Sequence, residues 1–262
     1  MFAARLLKMT LECERRFTEA RLKVLGEGGL SNGIGRLSEK SLHKILKLYI
    51  EPDESSHEVS ILGSYADVLN SDGIYEIQTR AAWRLAKKLP KLLEVSKVTV
   101  VIPVITENCI RWIDKETGEI SEGRKSSKKE NAFTALGEIY KLRAFLDNEN
   151  FQVRLVFLKT EDFRYLDGYG TEKHKGATKI DKIPTELVSE LALSSYDDYR
   201  ALLPDSLGDS FLEKDLRRLT KYPKKFSSAV IGVLKQAGAI QQTGREGRAY
   251  LYTKIKTHTE QP

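Results

Sequence analysis

The chain reads as an α/β protein: a mixed sheet flanked by helices, followed by a small C-terminal unit of helices and a two-stranded arm. Three observations predict this. Residues 97–104 are an almost unbroken apolar run, the pattern of a strand buried on both faces. Val68-Leu69 and Ile74-Tyr75 flank Asn70-Ser71-Asp72-Gly73, four turn formers between two strand-like runs. Finally, residues 224–252 run from an amphipathic stretch through Ala237-Gly238 to a strand, a turn and a strand.

Taken in order, residues 10–25 predict an amphipathic helix with Leu11, Phe17, Leu22 and Leu25 as its apolar positions. Gly26, Gly28, Gly29, Gly33 and Gly35 then break regular structure. No Gly-Lys-Ser/Thr ending follows them, so the stretch is a connector rather than a phosphate loop. A helix is expected over 39–50, a loop at 51–56 around Pro52, and a strand over 58–62. The hairpin spans 67–78, and the helix after it, 81–93, carries Arg84, Lys87, Lys88 and Lys91 on one face as a positive stripe.

Beyond the buried strand, 110–114 and 118–120 predict a second hairpin around 115–117, followed by a basic loop at 124–129. A helix over 132–146 and a strand over 151–158 complete the core. Residues 161–183 interleave Arg164, Lys173, His174, Lys175, Lys179 and Lys182 with Tyr165 and Tyr169, and read as a basic surface loop suited to phosphates and bases. Ser210 and Glu213 have capping-box spacing for a helix over 210–216. The expected divisions are 1–36 (helix and glycine connector), 37–160 (α/β core), 161–205 (basic loop and linker helices) and 206–262 (C-terminal unit).

The whole chain sets wider bounds. At 262 residues it is long enough for one large or two modest domains. With 43 Lys plus Arg against 37 Asp plus Glu, the net charge of +6 favours polyanionic partners. Cys13 and Cys109 lack metal-ligand spacing, which excludes a disulfide framework or a zinc site and predicts two reduced thiols. No apolar stretch approaches the ~20 residues of a membrane span. The first residues are too interrupted by charge for a signal core, so a cytoplasmic protein without a membrane partner is expected.

The chemistry concentrates in the 67–78 hairpin. Asp67 and Glu76 lie on its two arms, and Glu76 shares a strand face with Ile74 and Gln78. Two carboxylates brought together this way suit a hard cation such as Mg²⁺, which fills the rest of its shell with water and phosphate oxygens.

Asp67 followed by Glu76-Ile77-Gln78 resembles the core motif of the PD-(D/E)xK nuclease superfamily, in the variant with glutamine in the lysine position. Ala66-Asp67-Val68 with Glu76-Ile77-Gln78-Thr79 is similar to the competence-associated nuclease-like proteins of that superfamily. The resemblance covers roughly residues 35–160. It implies a restriction-endonuclease-like fold, with Asp67 and Glu76 binding Mg²⁺ or Mn²⁺ and Gln78 orienting water or substrate. Glu39 or Glu58 would complete the site, and Arg80 or Lys87 would replace the missing lysine's charge. The C-terminal layout resembles a winged helix, whose second helix enters a DNA groove while the wing touches backbone. On that resemblance Lys221, Lys224, Lys225, Lys235, Arg245 and Arg248 contact phosphate, beside Arg80, Arg84 and Lys87 in the core. The function expected is a metal-dependent DNA endonuclease, with room for a homodimer. The alternative is a non-catalytic DNA-binding or regulatory protein that keeps the nuclease-like fold.

Overall fold

The structure is a computed structural model and describes residues 10–26, 40–79, 81–165, 167 and 177–255. Helix α1 (Leu11–Gly26) forms as predicted but turns a different stripe inward. Phe17, Ala20 and Val24 are buried, whereas Leu11 and Leu22 face solvent. The rotation is held by Arg16, whose Nη2 donates to the carbonyl oxygens of Tyr49 and Ile50 at 2.8 and 2.6 Å. Those carbonyls close helix α2 (Ser41–Ile50), which is buried along nearly its whole length. The glycine connector and Glu39 lie outside the described residues.

Three antiparallel strands follow: β1 (His57–Ile61), β2 (Ser64–Asn70) and β3 (Gly73–Ile77). A 3-10 turn (Ala82–Lys87) and helix α3 (Leu89–Val95) then lead into the long strand β4 (Val98–Ile113), parallel to β3. The short strand β5 (Arg124–Lys125) pairs with β4. Helix α4 (Ala132–Ile139), with a 3-10 turn at Tyr140–Phe145, carries the chain to β6 (Phe151–Tyr165), parallel to β4. Strand β7 (Thr178–Leu193) closes the sheet, antiparallel to β6. Among the described residues these seven strands form one mixed sheet of order β1-β2-β3-β4-β6-β7, with β5 paired to β4.

Two sequence expectations are corrected here. The helix expected over 81–93 is two pieces, a 3-10 turn and an α-helix starting at Leu89, because Pro90 has no N–H to bond back into a preceding turn and is tolerated only in a helix's first turn. The stripe of Arg84, Lys87, Lys88 and Lys91 therefore has no single helix to carry it: Arg84 lies 5.7 Å from the Trp83 ring, and Lys88 turns inward. The second correction is β7, a strand of 16 residues in the middle of the segment read as loop and linker helices. Its Pro184 removes a ladder donor, which an edge strand tolerates, and three register shifts in its pairing with β6 break the simple alternation. Tyr169, Lys173, His174 and Lys175 lie outside the described residues.

Both faces of the sheet are covered. One hydrophobic cluster joins α1 and α2 to Val68, Tyr75, Ile77, Val101 and Val156. The other runs from Ile74, Val98 and Val100 through α3 and α4 into the C-terminal unit without a break. That unit comprises β8 (Ser210–Leu212), α6 (Glu213–Thr220), α7 (Ser227–Gln236), β9 (Ile240–Glu246) and β10 (Ala249–Lys254), after a single-turn helix α5 (Tyr196–Arg200). Its strands form a small antiparallel sheet of order β8-β10-β9. Ser210 caps nothing: it is the first residue of β8, its hydroxyl lies 3.1 Å from Thr253 Oγ1, and α6 is instead capped by Asp215, which accepts from the Leu212 amide at 3.0 Å.

Helix α7 is packed on two sides. Val230, Val233 and Leu234 are buried, and on the side towards α4 Gly232 meets Tyr140 so closely that a Cβ would lie 2.5 Å from Cε2. Gly137 on α4 meets Phe226 in the same way, at 2.3 Å from Cδ1. Phe133 stacks on Tyr222 with centroids 5.8 Å apart, and Asn131 Nδ2 donates to the Thr220 carbonyl at 2.7 Å. The helix's buried stripe is Val230, Ile231, Val233 and Leu234, and Ser228, Lys235 and Gln236 stay exposed on it. Among the described residues no helix is long and apolar enough to cross a membrane.

Gly137→Val should therefore overpack the α4–α7 contact and cost ~1–3 kcal/mol. The loss will appear as a lower denaturant midpoint and as faster amide exchange in α7 than in β4. An unchanged midpoint would mean that the two helices are not in close contact.

Candidate functional site

Gly73 makes the hairpin possible. Its φ is +123°, and a Cβ there would stand 2.5 Å from the Lys97 carbonyl oxygen, so a side chain is excluded by conformation and by space. Asn70 Oδ1 accepts from the Asp72 amide at 3.0 Å and tightens the turn. The β2–β3 ladder runs Asn70↔Gly73, Leu69↔Ile74 and Val68↔Tyr75, and then the strands part. Across the fork, Asp67 Oδ2 accepts the Ile77 amide hydrogen at 2.6 Å.

The fork brings the two predicted carboxylates together. Glu76 is 1 % exposed, and its pKa is pushed up to about 7, first by burial and then by the negative charge of Asp67. The opposing influence is Lys88, whose Nζ is 2.7 Å from Glu76 Oε1. That contact is an ion pair by distance but is not aligned as a hydrogen bond; the ammonium also donates to the Tyr65 carbonyl at 2.9 Å. Asp67 is more open, with a side chain 16 % exposed, and His43 Nε2 lies 3.3 Å from its Oδ2.

Helix α2 contributes two basic side chains one turn apart. His43 approaches Asp67, while buried Lys47 pairs with Glu58 Oε1 at 2.7 Å. Glu58 is on β1, more than half exposed, and its charge is also felt at Glu76. The structure thus gathers Asp67, Glu76 and Glu58 in one electrostatic neighbourhood, with Glu58 committed to Lys47. Arg80 lies outside the described residues, as does Glu39. Lys87 and Arg84 are exposed on the turn after β3. The cation beside the carboxylates is Lys88, one position beyond the expected Lys87. From the sequence Lys88 stood only as one member of a positive stripe with Arg84, Lys87 and Lys91, and His43 carried no expectation.

Among the described residues, no three His, Cys, Asp or Glu side chains are grouped as a metal site. Two carboxylates, one of them holding its proton up to about pH 7, do not make a protein-only cage. Their donor chemistry suits a weakly held Mg²⁺ that takes most of its oxygens from water and phosphate.

Gln78 follows β3 directly, fixed by its amide donating to the Val101 carbonyl at 2.9 Å. It lines a cleft of about 870 Å³ at this end of the sheet, between β4, β7, the loop before α4 and the 223–226 turn of the C-terminal unit. Lys225 lines that cleft and Lys224 sits on the same turn, both exposed. Arg245 and Arg248 are exposed on the β9–β10 arm, with Arg245 Nη2 donating to the Tyr250 hydroxyl at 3.1 Å. Lys221 and Lys235 are also exposed. Gln78 and Lys225 share the cleft's lining, which does not include Asp67, Glu76, Arg245 or Arg248.

The raised pKa of Glu76 fixes a pH dependence. In the folded chain Glu76 keeps its proton up to about pH 7, whereas an ordinary glutamate ionises near 4.5. The stability that this extra proton provides is complete below about 4.5 and is lost as pH rises towards about 7, a change of up to ~3 kcal/mol. Unfolding of the metal-free protein measured at about pH 5 and about pH 8 should show the loss in the native chain and a much smaller one in Glu76→Gln. Parallel curves would show that Glu76 ionises normally.

Comparison with known proteins places this site inside a family. A relative from Treponema pallidum (strain Nichols), an uncharacterized protein, is 31% identical over 227 residues, covering 84% of this chain and 87% of its own. No solved structure matches the chain significantly. The model of the family described as "Domain of unknown function (DUF8091)" matches residues 40–194, which hold α2, all seven strands of the large sheet and the Asp67–Glu76 pair. The chain belongs to that family.

Proposed function

We propose that this protein is a metal-dependent phosphodiesterase acting on nucleic acid in the cytoplasm, with Asp67 and Glu76 as the carboxylates of its active site. The observation that supports this reading is a buried Glu76 within electrostatic reach of Asp67, with the Lys88 ammonium 2.7 Å away. Stability alone does not favour such an arrangement, and carboxylates with pKa values driven apart are a recurrent feature of hydrolytic sites.

In this reading Asp67 is aimed by the Ile77 amide, and Glu76 joins it once deprotonated. Mg²⁺ or Mn²⁺ held there would polarise a water and neutralise charge on the phosphate. The water oxygen bonds to phosphorus, the ester P–O bond breaks, and the leaving alkoxide takes up a proton. Lys88 lowers the cost of bringing a phosphate's negative charge to the pair, the part assigned on sequence to Arg80 or Lys87. Gln78 meets the substrate in the adjoining cleft.

A second reading, a nucleic-acid-binding protein without catalysis, is favoured by one observation: Glu76 is closed off from solvent and already faces a cation. Plasmid and oligonucleotide cleavage in Mg²⁺ and in Mn²⁺ separates the two. The active-site reading predicts cutting that climbs as pH passes about 7, and that falls at least 100-fold in Asp67→Asn, Glu76→Gln and Lys88→Met. Binding without cutting in either metal would support the second reading and overturn the first.

A further inference from the structure

We infer that the cleft beyond Gln78 is the seat of a single-stranded polynucleotide, clamped between the large sheet and the 223–226 turn of the C-terminal unit. The inference deepens the proposed phosphodiesterase reading by naming the form of its substrate, and in that sense rests on it. Its physical basis is the cleft itself.

Six lysines line the cleft: Lys40, Lys128, Lys129, Lys179, Lys182 and Lys225. They come from four separate segments, the start of α2, the loop before α4, β7 and the C-terminal turn, so the charge results from folding and not from one basic run. Four acids also line the cleft, Glu130, Glu138, Asp162 and Asp181, and the six lysines outnumber them. Glu130 accepts the Ile105 amide hydrogen at 2.8 Å, Asp162 pairs with Arg164 at 2.5 Å, and Asp181 takes the Ser41 hydroxyl and the amides of Ser41 and Lys182. Lys40 is itself turned to the Ile180 carbonyl at 2.6 Å, whereas Lys128, Lys129 and Lys225 are exposed at the rim.

Beneath this rim the floor is apolar, made by Ile102, Pro103 and Val104, and Phe226 stands at one side with the Lys225 ammonium 4.9 Å from its ring. Cations above with an aromatic ring and apolar surface below match a strand whose phosphates stay at the rim while its bases turn inward. A duplex hides its bases, and a cleft of about 870 Å³ is roughly 10 Å across, narrower than the about 12 Å of a duplex's major groove alone. The cleft's size also lies within the range of ordinary ligand pockets, about 300–1,000 Å³, which suits a few nucleotides. The C-terminal unit then meets the strand through its 223–226 turn.

The test is fluorescence anisotropy on the full chain with chelator present, so that no cleavage intervenes. Labelled oligothymidylate, oligouridylate and a blunt hairpin duplex serve as probes. At least one single strand should bind ten or more times tighter than the duplex, and the ratio of the two names the sugar. Lys128→Gln/Lys129→Gln/Lys225→Gln should lose at least tenfold, with the slope of log K against log salt flattened by about 2. The corresponding triple arginine variant should restore binding. Equal affinity for duplex, equal binding of a free mononucleotide, or unchanged binding by a glutamine triple that melts like the native chain would each overturn the inference. Asp67→Asn keeps the two proposals apart: it should abolish cutting and leave strand binding intact. Cutting that persists in the glutamine triple would sink the cleft while sparing the active site.

Discussion

The arrangement around Glu76 depends on one short contact, the acceptance of the Ile77 amide by Asp67 where β2 and β3 part. The hairpin ladder would otherwise continue, pairing residue 67 with 76 in the plane of the sheet and spending the amides on backbone carbonyls. The ladder ends instead, and a carboxylate takes the place of a carbonyl. That substitution sets a negative charge beside a second acid that the sheet has removed from water. The raised pKa of Glu76 follows from this placement, as does the recruitment of Lys88 from the turn beyond β3.

Helix α2 supplies much of the balance. Its apolar residues fix it to the sheet, and the same packing carries His43 to Asp67 and Lys47 to Glu58. A buried Lys47 opposite a half-open Glu58 is costly to desolvate and strongly destabilising to break, so the helix is held in register by charge as well as by burial. A similar logic holds α1, whose Arg16 closes the end of α2. One layer thus positions the carboxylates, while α4 and the C-terminal unit on the opposite face contribute a wall of the cleft.

Much of this was legible in the sequence because the signals were local. The apolar run at 97–104 gave β4, and the Asn-Ser-Asp-Gly turn gave the hairpin with Asp67 and Glu76 on its arms. Where non-local contacts decide, sequence reading failed. Strand β7 was hidden by Pro184 and by pairing irregularities that only β6 can accommodate. The helix at 81–93 had the right periodicity, yet Pro90 divided it. Ser210 had the spacing of a cap but was drawn into β8 by pairing with β10. Lys88 was visible as one basic residue of four after the hairpin but not as the one that turns inward, and His43 meets Asp67 only through the packing of α2 on the sheet. The wing-like layout was readable, whereas the burial of α7 required knowing that Gly137 and Gly232 admit aromatic rings.

The central claim is that Asp67 and Glu76 share one electrostatic site. It is tested most directly by a carboxyl-carbon NMR titration of Glu76 in the native chain, in Asp67→Asn, and in the native chain with Mg²⁺. The account predicts a Glu76 midpoint near 7, moved down both by removing the charge at Asp67 and by the metal ion. A midpoint at the ordinary glutamate value, indifferent to either change, would contradict it.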